Sequence, residues 1–204
     1  MKKILVLAML ATASAAQAQT WIEIPDAPAA APFTAQMTVG VGPLTTIRGG
    51  GDFAGDSVDA YCIHIFDVGA FSATTVGGTT QDTQIWLFRP DGMGVSFNDD
   101  STGLQSTVTG AFVPGPGLYI LAVSPYDADA LDGAGAALWL DTPFGTERAP
   151  DGPGAGGPVM AWSAGPTLIP YSISLTGATY CEVPAPGALA LMGLGGLVAA
   201  RRRR

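Results

Sequence analysis

The sequence predicts an all-β protein, an antiparallel, jelly-roll-like β-sandwich with a signal helix before it and a hydrophobic helix after it. Three observations favour this class. Apolar and polar residues alternate over short segments, 28 glycines and 16 prolines punctuate those segments, and a hydrophobic content of 48% suffices for a core. No sustained helical stripe occurs between residues 37 and 182, so one sandwich domain is expected there.

Residues 1–18 have the pattern of a secretory signal peptide. Lys2 and Lys3 supply a positively charged start, and an apolar run too short to span a bilayer follows. Ala16 and Ala18 then form the small-residue pattern that signal peptidase accepts, which makes that enzyme an expected partner. An ordinary N-terminal helix is the alternative interpretation.

The segment 19–36 is rich in alanine and proline, and we expect a partly extended lead-in to the domain at 37–182. The clearest strand pattern lies at 59–65, where Tyr61, Ile63 and Ile65 fall on one face and Cys62 and His64 on the other. Further strands are predicted at residues 84–88, 107–113, 118–123, 159–162 and 171–175. Residues 143–158 form a long loop, flexible by composition.

The C-terminal segment 183–204 has three parts. Val183, Pro184, Ala185 and Pro186 end any preceding strand, because proline removes a backbone donor. Residues 187–200 carry no charge, but as a helix they would cover only about 21 Å of a bilayer core of about 30 Å. Arg201, Arg202, Arg203 and Arg204 would stop translocation and hold this end in the cytoplasm.

This order of proline motif, small-residue apolar helix and arginine cluster resembles the PEP-CTERM sorting signal of Gram-negative bacteria. The resemblance implies an exosortase-type transpeptidase as a partner, which would cut near the motif after a transient membrane stage. Ala185 stands where the family has its usual acid, so the motif departs from the family pattern at that position. A plain C-terminal membrane anchor is the alternative.

A second resemblance covers roughly residues 50–125. It is carried by short pieces in a fixed order, namely residues 55–59, 82–88, 91–94, 98–100 and 117–123. These are similar to the bacterial pre-peptidase C-terminal (PPC) domain, a jelly-roll-like sandwich appended to secreted enzymes. The resemblance implies an accessory module for folding, surface attachment or binding that does not itself cut peptides.

The acidic residues indicate which partners the domain favours. All 17 of them lie within residues 19–182, where only Arg48, Arg89 and Arg148 are basic. Such a surface repels phosphate backbones, which argues against nucleic acid as a partner. It favours divalent cations or neutral sugars, although acidity also keeps an extracellular protein soluble.

One group of acidic and amide side chains suggests a metal loop. Its members offer hard oxygen ligands of the kind that calcium prefers: Asp82, Asp91, Asn98, Asp99 and Asp100. The spacing does not match an EF-hand, and turn chemistry explains Asp-Gly and Asn-Asp-Asp equally well. A second, weaker acidic loop contains Asp127, Asp129 and Asp132.

Export would place Cys62 and Cys181, the only cysteines, in an oxidising compartment, where they are expected to form a disulfide; two free thiols are the alternative. His64 is the only histidine, and neither a nucleophile elbow nor a multi-histidine zinc pattern accompanies it. It is interpreted as a strand residue, and no catalytic residue is predicted.

The expected function is that of a non-catalytic protein of the cell surface or extracellular matrix, sorted by its tail. The first alternative is a module that binds extracellular polysaccharide through exposed rings of Trp86, Trp139 and Trp162, with calcium as a stabilising ion. A small secreted hydrolase is the third candidate, and it would require a cleft with converging carboxylates or a His64 dyad.

Overall fold

The computed structural model describes residues 19–29, 34–50 and 57–182, so the predicted signal helix and C-terminal hydrophobic helix lie outside the described residues. Within those ranges the regular structure is almost entirely β, as expected, and helical structure is confined to two short 3-10 turns at Val68–Ala70 and Gly110–Phe112. The strands are β1 Gln19–Ile22, β2 Gln36–Met37, β3 Leu44–Gly49, β4 Asp59–Ile65, β5 Ser72–Thr74, β6 Thr83–Phe88, β7 Gly94–Asn98, β8 Thr107–Thr109, β9 Gly117–Pro125, β10 Ala130–Leu131, β11 Ala161–Trp162, β12 Tyr171–Thr176 and β13 Ala178–Tyr180. None of the helices in the described part of the chain has the length and apolarity that crossing a membrane requires.

The strands form two large sheets and one small one. The five-stranded sheet has the order β1-β3-β12-β5-β8, and the six-stranded sheet has the order β13-β4-β9-β6-β7 with β2 beside β4. Most pairs are antiparallel, but β1 runs parallel to β3 and β2 runs parallel to β4. The prediction of an all-β sandwich is confirmed, whereas the expectation that it is purely antiparallel is wrong at these two pairs.

The parallel pairs come from the segment 19–36, which was expected to be a lead-in. β1 adds to the edge of the five-stranded sheet, and Trp21 donates a hydrogen bond from Nε1 to Oε1 of Gln36 over 2.7 Å. Parallel neighbours need a long connection, and the chain between β1 and β3 provides one. The described residues of this segment, 19–29 and 34–36, are therefore part of the sandwich.

The main core lies between the two large sheets. Tyr61, Ile63 and Ile65 of β4 all point into it and are fully buried, as the period-two pattern predicted. Ile47 of β3 and Ile173 of β12 meet them from the opposite sheet. Because alternate residues of most strands in both large sheets converge here, the burial of apolar area is the main force that holds the sheets together.

A second core covers the other face of the six-stranded sheet. Trp86 and Phe88 of β6 lie in it, and residues 126–166, which contain β10 and β11 and are called the cover segment below, fold over them. The loop 143–158, expected to be flexible, forms part of this cover: Gly152 donates its N–H to Leu138 O over 3.0 Å, and Arg148 is buried. Since β6 is buried on both faces, its residues 85–88 form a continuous apolar run in the sequence.

The last described strand is joined to the core by the predicted disulfide. Cys62 of β4 and Cys181, just after β13, form a bond with a Cα–Cα separation of 5.4 Å. One residue, Gly177 with φ of +65°, separates β12 from β13, which belong to different sheets. A Cβ at Gly177 would lie 2.5 Å from Asp67 O, so only glycine fits this crossing.

Candidate metal centre

Three of the five predicted calcium ligands meet at one end of the β6–β7 hairpin. Asp82 precedes β6, while Asp99 and Asp100 follow β7. The two strands are antiparallel neighbours, so the start of one lies beside the end of the other. One carboxylate oxygen from each residue lies within 4.8 Å of the other two.

The geometry leaves these carboxylates without the partners that buried charges need. Asp99 is only 2% exposed. Its Oδ1 atom, like those of Asp82 and Asp100, is buried and has no hydrogen-bond partner among the described residues. Burial, followed by the charges of Asp100 and Asp82, raises the pKa of Asp99 to about 7.

Further acidic residues surround the group. The charges of Asp129 and Asp141 also raise the pKa of Asp99, and the pKa of Asp129 is itself raised by burial and by Asp141 and Asp127. Sequence reasoning placed Asp129 in a separate loop and did not single out Asp141. No local spacing could have found this convergence, because β9 and the cover segment bring the residues together over about 40 positions of sequence.

The carboxylates line a pocket of about 200 Å³ whose remaining walls are Tyr126 and Phe144. The two rings are in edge contact, with centroids 6.1 Å apart. Two backbone hydrogen bonds hold these walls in place: Tyr126 N–H donates to Asp82 O over 3.0 Å, and Asp100 N–H donates to Phe144 O over 3.1 Å. Each wall is thus tied directly to a carboxylate residue of the group.

Two predicted ligands are not part of the group. Asp91 lies in the tight turn at the far end of the hairpin, roughly 17 Å away for strands of this length, and forms an exposed ion pair with Arg89 at 2.9 Å. Asn98 is buried, but its amide is used within the protein: it accepts from Thr107 N–H at 2.8 Å and donates to Asp100 O at 3.0 Å. An ion pair in the turn accounts for Asp91, and local hydrogen bonds account for Asn98.

The three residues of the second acidic loop, Asp127, Asp129 and Asp132, have different roles. Asp132 Oδ1 accepts the N–H groups of Ala134 and Ala136 at 2.8 and 2.9 Å, which is the role of a turn residue. Asp127 has a φ of +70°, a left-handed conformation that aspartate tolerates better than most residues. Of the three residues in this loop, only Asp129 is among the charges that raise the pKa of Asp99.

A second carboxylate cluster, which sequence reasoning missed, contains Glu23, Asp26 and Asp59. Glu23 accepts from Ala27 N–H, Gly50 N–H and the Tyr61 hydroxyl, and the Tyr171 hydroxyl donates to Asp59 Oδ2 at 2.6 Å. Burial and the neighbouring carboxylates raise the pKa of both tyrosines, so the hydroxyls stay protonated and act as donors. Hydrogen bonding of this kind accounts for Glu23 and Asp59 without a ligand.

The only histidine and one glutamate of the cover segment, Glu147, have structural roles. His64 is a half-buried residue of β4, paired with Thr179 and Leu118. Glu147 accepts from the Ser96 hydroxyl at 2.6 Å and from the Thr109 N–H at 2.7 Å, which fastens the cover segment to β7 and β8. Both side chains therefore contribute to the sheet and its cover.

The tryptophans considered for sugar stacking belong to the second core. Trp86 is 1% and Trp139 is 3% exposed, and their rings are in edge contact at 5.4 Å. Trp162 is half-buried and donates its Nε1 hydrogen to Ala29 O. The carbohydrate-binding alternative depended on flat, exposed rings, so the burial of Trp86 and Trp139 removes its main support.

The sequence signals for export and sorting lie at Ala16 and Ala18, at 183–186 and at 201–204, outside the described residues. Comparison of the chain with protein-family models, with curated proteins and with solved structures finds no significant match.

Proposed function

We propose that this chain is an exported, non-catalytic protein of the bacterial cell surface or extracellular matrix. The observation that carries the proposal is the Cys62–Cys181 disulfide. Structural disulfides persist in oxidising compartments, which a chain with a leader at 1–18 would reach. The bond also lies beside the residue from which the sorting tail continues.

The attachment of the C-terminal end supports this role. Glu182 donates its N–H to Thr38 O and accepts from Gly40 N–H, both over 3.0 Å, while the Thr38 hydroxyl accepts from Cys181 N–H. A domain held at a surface through residue 183 would be loaded at this point. The hydrogen bonds and the disulfide would pass that load to β4, which lies between β13 and β9 in the six-stranded sheet.

The C-terminal segment 183–204 supports the cell-surface destination in this proposal. Its proline motif at 183–186, apolar stretch and four terminal arginines favour transient insertion followed by exosortase-type cleavage, over a permanent anchor. The PPC-like, jelly-roll-like character of the sandwich belongs to the same proposal, since such modules serve attachment and binding.

Mass spectrometry of the protein isolated from its native host tests the proposal. We expect a mature N-terminus at Gln19, a C-terminus at or near Val183 and no free thiol. A variant with Pro184→Ala and Pro186→Ala should retain its tail, whereas Pro116→Ala, in a surface turn of the domain, should be processed normally. An intact Met1 would contradict export, and an intact Arg204 in the wild-type protein would contradict processing.

A further inference from the structure

The pocket at the open end of the β6–β7 hairpin has the dimensions of a metal site. Calcium binds oxygens at about 2.3–2.6 Å, so any two ligand oxygens on one ion lie no more than about 5 Å apart. The carboxylate oxygens of Asp82, Asp99 and Asp100 lie within 4.8 Å of one another and meet this limit without any movement.

A second observation, independent of the clustering, points to a ligand. Asp99 lines the pocket and is buried, and its Oδ1 atom, like the Oδ1 atoms of Asp82 and Asp100 on the same pocket, has no hydrogen-bond partner among the described residues. A buried carboxylate without a donor costs several kcal/mol in general, and like charges beside it add to that cost. A divalent cation among these atoms would offset both.

Two of the domain's three arginines, Arg89 and Arg148, form ion pairs with carboxylates that do not line this pocket. Arg89 pairs with Asp91 at the hairpin tip, and Arg148 donates to Asp151 at 2.9 Å and to Thr142 O. These are the two ion pairs within the described ranges of the chain. Asp129 and Asp141 add negative potential, so the site attracts a cation that the protein's own side chains do not supply.

We propose that Asp82, Asp99 and Asp100 bind one calcium ion, and that Asp129 and Asp141 strengthen the binding through their charge. The donors are all oxygens and neither histidine nor cysteine lines the pocket, which disfavours zinc and other transition metals. Water completes the coordination on the open side, beside Tyr126 and Phe144. Calcium tolerates this irregular set, whereas magnesium demands near-ideal octahedral geometry.

The bound ion would fasten three parts of the fold. Asp82 is joined through its carbonyl to Tyr126 at the end of β9, and Asp100 through its N–H to Phe144 in the cover segment. An ion that binds the side chains of Asp82 and Asp100 would therefore join the hairpin to the end of β9 and to the cover segment. This site goes beyond the proposed function and does not depend on how the tail is processed.

Thermal melting and calorimetric titration of the full chain with CaCl2 alone test the proposal. Calcium should raise the melting temperature, an excess of chelator should reverse the rise, and an equal concentration of magnesium should give a smaller rise. Asp99→Asn and Asp82→Asn should each weaken calcium binding roughly tenfold or more. Asp91→Asn, an exposed carboxylate outside the pocket, is the matched control and should bind like the wild type.

Melting of the two variants in chelator separates a loss of calcium binding from a loss of folding. Asp99→Asn removes a repelling charge, so in chelator it should melt at or above the wild-type temperature while losing the calcium response. If this buried substitution prevents folding, the half-buried Asp82→Asn provides the test. The proposal is overturned if the wild type shows no calcium response, if both variants respond like the wild type, or if magnesium acts equally well.

Discussion

Asp99 shows how a single residue can make stability depend on pH. Its side chain is buried, and Asp100, Asp82, Asp129 and Asp141 all raise its pKa, to about 7 from an ordinary value of 3.8. Folding therefore favours the protonated carboxyl. The stabilisation from that proton is complete below about pH 4 and is lost as the pH rises through about 7.

In metal-free protein we expect the melting temperature to fall by several degrees between about pH 5 and about pH 7.5, because Asp99 must ionise without a partner. The shifts of Asp82 and Asp129 have the same sign. Melting curves in chelator across this range check the expectation. Asp99→Asn should flatten most of the slope and Asp91→Asn should leave it unchanged, because the pKa of Asp91 is lowered and lies outside the window. A melting temperature that rises over this range would contradict the assignment.

At the scale of elements, β6 has core on both of its faces, and all six of its residues are buried. Ile85 and Leu87 face the opposite sheet, while Trp86 and Phe88 face the cover segment. Trp86 also stacks on Phe97 of the neighbouring strand β7 at 4.0 Å. The cover converts what would be a solvent-facing sheet surface into a second interior. Neighbouring residues of one strand should then be equally sensitive to truncation.

We expect Ile85→Ala to cost about 2–5 kcal/mol and Trp86→Ala about 3–5 kcal/mol of unfolding free energy, since both leave cavities in packed cores. Denaturant unfolding measures both. Leu104→Ala, at a 51% exposed position in the loop after β7, is the control and should change the free energy by about 0.5 kcal/mol or less. A small effect of Trp86→Ala would show that the cover segment does not form a core.

At the scale of the whole molecule, the disulfide joins the fourth strand to the end of the last. It closes a loop with a sequence separation of 119 residues, which spans nearly the entire sandwich. Such a bond restricts the unfolded chain strongly, because the entropy of loop closure grows with loop length. It also fixes β13 against β4 at the point where the tail begins.

The double variant Cys62→Ser with Cys181→Ser should lose roughly 4–5 kcal/mol of unfolding free energy in the chain-entropy description. Urea unfolding under matched conditions checks this value. Wild-type protein unfolded in the presence of a reductant should match the double variant, which separates the loss of the bond from any effect of the serines. An unchanged midpoint in both would contradict a stabilising role.

Much of this architecture follows from local patterns. The period-two alternation at 59–65 predicted that Tyr61, Ile63 and Ile65 point into the main core, and the presence of two cysteines in a chain predicted to be exported led to the prediction of the disulfide. A short-range pattern suffices for such features, because strand geometry alone fixes the side on which each residue points. The parallel pairing of β1 with β3 and of β2 with β4 cannot be read from any local sequence pattern, because it depends on which sheet edges are free.

The residues of the proposed metal site could be predicted only in part from the sequence. Asp82, Asp99 and Asp100 could be proposed as ligands from their chemistry, but so could Asp91 and Asn98, which the hairpin places at its other end or uses internally. Strand pairing decided which carboxylates meet, because an antiparallel hairpin brings together its two ends and separates them from its turn. The cover segment then added Asp129 and Asp141 and buried the tryptophans, since only the packed fold sets distances between residues far apart in the chain.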